Sequence, residues 1–270
     1  MRGRLLLTLW LFLGLGLSAR AQEGPERWRE PARAAGVDPA LVEILWARAA
    51  AQRWPTEELE RLIQTSLSLE REGMPGELLL QKALEGMAKQ VPPEQVLRVT
   101  EQLAGTLRRA HELLQERVPR WRARLPELEE RPVRRAFIAE LASGQAHGVP
   151  VEVLARALEG WMQARSAPSW RDMLAAVRIL PEMPVPPERS AELIQAFLEA
   201  GGKGAELNQI PAALRMAQQQ MRLPAEAIAR MATQRIRGGL SPRELLEHMR
   251  RGALERPPMQ GMGRPGKPRG

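Results

Sequence analysis

Prolines open helical segments along this chain at an interval of about 37 residues, and that interval constrains the fold more than any single residue does. One register runs Pro39, Pro75, Pro150, Pro187 and Pro224, with the step from Pro75 to Pro150 close to two units. A second follows half a unit behind, at Pro55, Pro92, Pro168 and Pro242. Proline suits the first turn of a helix because the N–H it lacks would have no intrahelical partner there. Each unit is therefore expected to hold two short helices.

The segments between the prolines carry apolar residues at i, i+3, i+4 and i+7. Leu80, Ala83, Leu84 and Met87 form one such set, Leu154, Ala157, Leu158 and Trp161 another, and Ile194, Phe197, Leu198 and Gly201 a third. That spacing draws one stripe along a helix and does not fit a strand, whose side chains alternate with period two. Identity recurs as well: Ala83-Leu84-Glu85-Gly86 matches Ala157-Leu158-Glu159-Gly160, and Leu198-Glu199-Ala200-Gly201 falls in about the same place. Gly73, Gly148, Gly201, Gly202, Gly238 and Gly239 stand just ahead of the next helix start, where left-handed C-caps belong. Helices this short are unstable alone in water and must bury their stripes on one another. The fold class is thus all-α, an array of helical hairpins that is solenoid-like or a compact multi-helix body, without significant strand.

The pattern divides the chain into a signal peptide over 1–21, a linker over 22–36 and hairpins over 37–118. An irregular Arg/Pro-rich connector over 119–131, further hairpins over 132–252 and a disordered basic Pro/Gly tail over 253–270 complete it. The first hairpin block ends in a long helix, from Pro93 through Leu103, Leu107 and Leu114 to Val118-Pro119.

The opening residues have the layout of an export signal: Arg2 and Arg4, an apolar run from Leu5 to Leu17, then Ala19 and Ala21 as small residues around a cut before Gln22. The run is shorter than the roughly 20 residues that span a bilayer, so cleavage rather than anchoring is expected, with a periplasmic or secreted product and no later transmembrane segment. The chain has no cysteine, which excludes disulfides, thiolate zinc and a lipid-anchoring N-terminal cysteine. The formal charge of +8 is concentrated at the ends. Without Arg2, Arg4, Arg20, Arg264, Lys267 and Arg269 it falls to about +2, which argues against nucleic acid as the partner.

Chemistry-bearing residues are sparse. His111, His147 and His248 have no metal-ligand spacing, and His111-Glu112 lacks the second histidine of a zinc-protease helix because Gln115 stands there. No cofactor and no catalytic residue is assigned. Glu85, Glu159 and Glu199 recur in equivalent places, whereas a catalytic carboxylate pair needs two unlike environments. Trp46 and Trp161 lie on apolar stripes and belong to the core; Trp28 and Trp121 are flanked by arginines and fit no stripe.

The sharpest local feature is Arg117, Arg120, Trp121, Arg122 and Arg124, four guanidinium groups around one indole, a candidate dock for an anionic lipid, a glycan or a protein partner. The alternative is a solvated face paired with Glu112, Glu116, Glu127, Glu129 and Glu130. The function expected from the sequence is that of an exported, non-enzymatic helical-repeat protein binding an envelope or secreted partner as adaptor, assembly factor or chaperone-like module. A salt-dependent binder of anionic polymer or membrane surface is the second expectation, and a cell-wall enzyme with an unidentified acidic catalyst the third.

Overall fold

The structure, a computed structural model, describes residues 24–164 and 168–254. The expected signal peptide and nearly all of the expected tail lie outside the described residues. Every regular element described is helical, and no described helix is long and apolar enough to cross a membrane. The chain divides into two compact units between Gly105 and Thr106.

The first unit holds α1 (Glu26–Ala35), α2 (Pro39–Ala51), α3 (Thr56–Arg71), α4 (Glu77–Ala88) and the first part of α5 (Pro93–Trp121). Besides successive neighbours, α1 packs on α3 and α2 on α4. In the second unit come α6 (Arg131–Ala146), α7 (Val151–Gln163), α8 (Trp170–Ile179), α9 (Pro187–Glu199), the single turn α10 (Gly204–Leu207), α11 (Ile210–Met221), α12 (Ala225–Arg237) and α13 (Pro242–Arg250). There α6 packs on α8, α7 on α9, α9 on α12 and α11 on α13. Contact between next-but-one helices is what stacked hairpins produce, and within each unit it is compatible with the expected array.

The proline interval has a local physical cause. At the ends of α2, α3, α4 and α6 the chain takes a left-handed residue, then an apolar one, then proline: Arg53-Trp54-Pro55, Gly73-Met74-Pro75, Gln90-Val91-Pro92 and Gly148-Val149-Pro150. Each is a Schellman turn. After α3, Gly73 N donates to Glu70 O at 3.0 Å and Met74 N to Leu69 O at 2.9 Å; after α2, Arg53 N donates to Ala50 O at 3.1 Å and Trp54 N to Ala49 O at 2.9 Å. The apolar residue tucks inward, with Trp54 7% and Met74 1% exposed, and the proline sets the direction of the next helix. Of the six glycines expected at such caps, Gly73, Gly148, Gly201 and Gly239 are left-handed, whereas Gly202 and Gly238 are not, Gly238 having φ −80°.

Arg53 and Gln90 hold φ +57° where glycine would be unstrained. A left-handed residue with a Cβ costs about 1–2 kcal/mol, part of which glycine's larger chain entropy offsets. Arg53→Gly and Gln90→Gly are each expected to raise stability by about 1 kcal/mol, read from the urea midpoint of the full chain; a lowered midpoint would contradict this account of the turns.

Three stretches differ from expectation. Residues 22–36 are not a plain linker: α1 buries Trp28, Ala32 and Ala35 on one face despite Pro31 in its interior. The long helix, expected to end around Val118-Pro119, carries Pro119 inside its last turn and ends at Trp121, which is 6% exposed and so anchored in the core. The connector 119–131, expected to be irregular, holds the end of α5, a 3₁₀ turn at Pro126–Glu129 and the first residue of α6, with Leu125 and Leu128 buried.

Candidate functional site

In the first unit, α3 and α5 face each other across a cleft of about 280 Å³, with Leu79 of α4 also lining it. The α3 wall presents Glu58, Arg61, Leu62 and Thr65; the α5 wall presents Glu94, Leu97, Arg98, Thr100 and Glu101. Glu58, Arg61, Leu62 and Thr65, and likewise Glu94, Leu97, Arg98 and Glu101, follow i, i+3, i+4, i+7, so each is one helix face, with Thr100 beside the second. The leucines give the cleft an apolar floor, Leu62 and Leu79 being 5% and 1% exposed.

The charges around that floor are uncommitted. Among the described residues, the side chains of Glu58, Arg61, Glu94, Arg98 and Glu101 take part in no ion pair or hydrogen bond. Glu58 Oε2 is shut off from solvent and has no hydrogen-bond partner. The hydroxyls are spoken for, Thr65 Oγ1 donating to Arg61 O and Thr100 Oγ1 to Leu97 O, each at 2.8 Å. What the cleft offers a visitor is therefore the half-buried Leu97 over a leucine floor and five charged side chains of both signs.

The arginine cluster singled out in the sequence is spread over separate tasks. Arg117 is half-buried; its Nε meets Glu159 Oε1 at 3.2 Å, and its Nη1 meets Glu116 Oε2 at 3.0 Å and donates to Leu113 O at 3.3 Å. Arg124 donates to Met162 O and, at 3.3 Å, to Ala164 O, capping the end of α7. Arg122 pairs with Glu129. Trp121 is buried and has no exposed face on which a ligand could stack, which leaves Arg120 as the exposed member without a partner.

The recurring glutamates are likewise occupied. Hydrogen bonds from Lys82 and Lys89 hold the exposed Glu85 carboxyl down to about 2. Glu159 serves Arg117, and Glu199 Oε1 accepts from Gln195 Nε2 at 2.9 Å. The glycine that follows two of them is a matter of packing: a Cβ on Gly86 would lie 2.6 Å from Val96 Cγ2 of α5, and one on Gly160 would lie 2.8 Å from Gln195 Oε1 of α9. Close helix approach thus explains Gly86, whereas at Gly160 only the flexible end of Gln195 would have to move.

Trp161 is core, as its stripe requires, and so is Trp28, which also carries the Arg27 guanidinium 5.0 Å from its ring centre; Trp46 is only half-buried. Among the described residues no group of three or more His, Asp or Glu side chains is placed to hold a metal ion. His111 meets Gln115 at 2.7 Å and His147 Nδ1 meets Ser143 O at 2.8 Å.

A larger cavity, about 520 Å³, lies between α12 and α13, lined by Gln234, Arg235, Gly238, Gly239, Leu240, Glu244 and His248. Its carboxylate and guanidinium are already engaged: Glu244 Oε2 accepts from Ser241 N and Oγ, which lowers the Glu244 carboxyl, and Arg235 Nε donates to Leu254 O at 2.8 Å. The cleft between α3 and α5 was missed in the sequence, where each wall looks like an ordinary charged helix face. Its one signal was the repeated Glu-x-x-[Arg/Leu]-[Leu/Arg] spacing at Glu58 and Glu94. No protein-family model, curated protein or solved structure matches the chain.

Proposed function

We propose that this chain is an exported, non-enzymatic helical-repeat protein that binds a partner polypeptide in the cleft between α3 and α5. The observation that carries the reading is the set of five unpaired charges around the Leu62, Leu79 and Leu97 floor. Apolar pockets supply anchoring energy, and charges around them select the partner by complementarity. At about 280 Å³ the cleft falls below the roughly 300–1,000 Å³ of small-molecule sites, which favours a few side chains of a larger partner. Export is supported by Arg2, Arg4, the Leu5 to Leu17 run and the Ala19/Ala21 pair, and makes the partner an envelope or secreted protein.

The test is capture from the envelope fraction with the full chain and with a Leu97→Asp variant, which places a carboxylate on the cleft floor. A protein retained by the unaltered chain and depleted about tenfold or more with Leu97→Asp supports the reading. Equal recovery with both would contradict it. The mass of the purified product is expected to start at Gln22, and a product that retains residues 1–21 would contradict the export step.

A further inference from the structure

We infer that the segment bound in the α3–α5 cleft is an amphipathic α-helix with an apolar stripe, flanked by both basic and acidic residues; this rests on the partner-binding reading above. Backbone hydrogen bonds separate a helical from an extended occupant. An extended peptide brings main-chain N–H and C=O groups that must find partners where they are buried. The cleft floor has none to give: Leu62, Leu79 and Leu97 are apolar, and the Thr65 and Thr100 hydroxyls donate to their own helices. Beyond their first turns the walls are helices whose main-chain groups are bonded internally, so there is no strand edge to extend. A helix arrives with its own backbone satisfied and offers only side chains.

Spacing points the same way. Each wall repeats its contacts at i, i+3, i+4 and i+7, a stretch of about 10 Å along the axis, or two helical turns. A third helix seated between two such ridges meets them with side chains at the same period. Its stripe would cover the half-buried Leu97, above the buried Leu62. Basic residues beside that stripe would face Glu58, Glu94 and Glu101, and acidic ones would face Arg61 and Arg98.

The experiment uses the full chain and two designed peptides of equal composition apart from two prolines. One carries leucines at i, i+3, i+4 and i+7 between lysines and glutamates; the other has its order changed and the two prolines at its centre, which prevent a helix. Fluorescence anisotropy is expected to show binding of the helical peptide and at least about tenfold weaker binding of the proline peptide. Glu94→Lys combined with Glu101→Lys, both exposed and so tolerated by the fold, should weaken the helical peptide about tenfold or more and be rescued by a peptide in which only the lysines facing positions 94 and 101 are replaced by glutamate. Equal binding of the proline peptide, indifference to charge reversal, or no binding of either peptide would overturn the helix inference. So would self-association of the chain that competes with the helical peptide, because the occupant would then be a second copy. These outcomes are separable from failure of the broader reading: a protein captured in a Leu97-dependent way stands even if the helical peptide does not bind.

Discussion

Gly76→Ala is expected to destabilise the first unit by about 3–5 kcal/mol, from overpacking together with the loss of a buried charged hydrogen bond. A Cβ on Gly76 would stand 2.1 Å from Ser66 O and 3.0 Å from Leu69 Cβ. The obstacle is the α3 backbone, which cannot swing aside as a side chain can, so α3 and α4 must separate. Separation breaks two contacts that fasten the pair: Ser66 Oγ donating to Gly76 O at 3.0 Å, and Glu77 N donating to Glu70 Oε1 at 3.1 Å. Ser66 is 0% and Glu70 1% exposed, so neither group is restored by water. Urea unfolding followed by tryptophan fluorescence checks this. Gly144→Ala is the control: its Cβ would meet only Leu154 methyls, at 3.6 Å or more, and it should be neutral or up to about 1 kcal/mol stabilising through helix propensity. Equal midpoints for Gly76→Ala and the unaltered chain would contradict the close approach.

In the second unit, Asp172→Ala is expected to lower stability by about 3 kcal/mol, combining a lost helix cap with a lost charge-assisted bond. Asp172 is 7% exposed and stands at the third residue of α8. Its Oδ2 accepts from Ser169 Oγ at 2.7 Å and Ser169 N at 3.3 Å, forming a capping box. Its Oδ1 accepts from Gly204 N at 2.7 Å, 32 residues further on, which pins α10 against α8. Alanine leaves the Gly204 donor unmatched in a part-buried site. An asparagine side chain keeps one carbonyl acceptor, so Asp172→Asn should cost less than half as much. Calorimetric scans of both variants measure the difference, and equal losses would place the effect in the charge rather than the hydrogen bonds.

Much of the helical framework is legible in the sequence because its signals are local. Proline at Pro39, Pro187 and Pro242 is the first helical residue, and the stripe through Leu80, Ala83 and Met87 is buried. The turn behind the repeat was only half legible: glycine advertises a left-handed residue, whereas Arg53, Gln90 and Arg222 adopt the same backbone with no such sign. Residues 22–36 hide a helix because Pro31 and dense charge mask the Trp28, Ala32 and Ala35 face.

The arginine cluster illustrates the opposite problem. Adjacency in sequence made Arg117 to Arg124 look like one patch, but Arg117 reaches Glu159, 42 residues away, and Arg124 reaches Met162, 38 residues away. No local pattern contains such partners. The cleft was hidden for the same reason, since the Glu58 face and the Glu94 face become a site only when α3 and α5 stand opposite each other.

The central claim, that a partner polypeptide occupies this cleft, is tested most directly by placing a photo-crosslinking amino acid at Thr65, and in a separate variant at Arg120, in cells producing the full chain. The account predicts a discrete protein adduct from position 65 that disappears when Leu97→Asp is added, and none from position 120. An adduct from position 120 alone, or one from position 65 that survives Leu97→Asp, would contradict it.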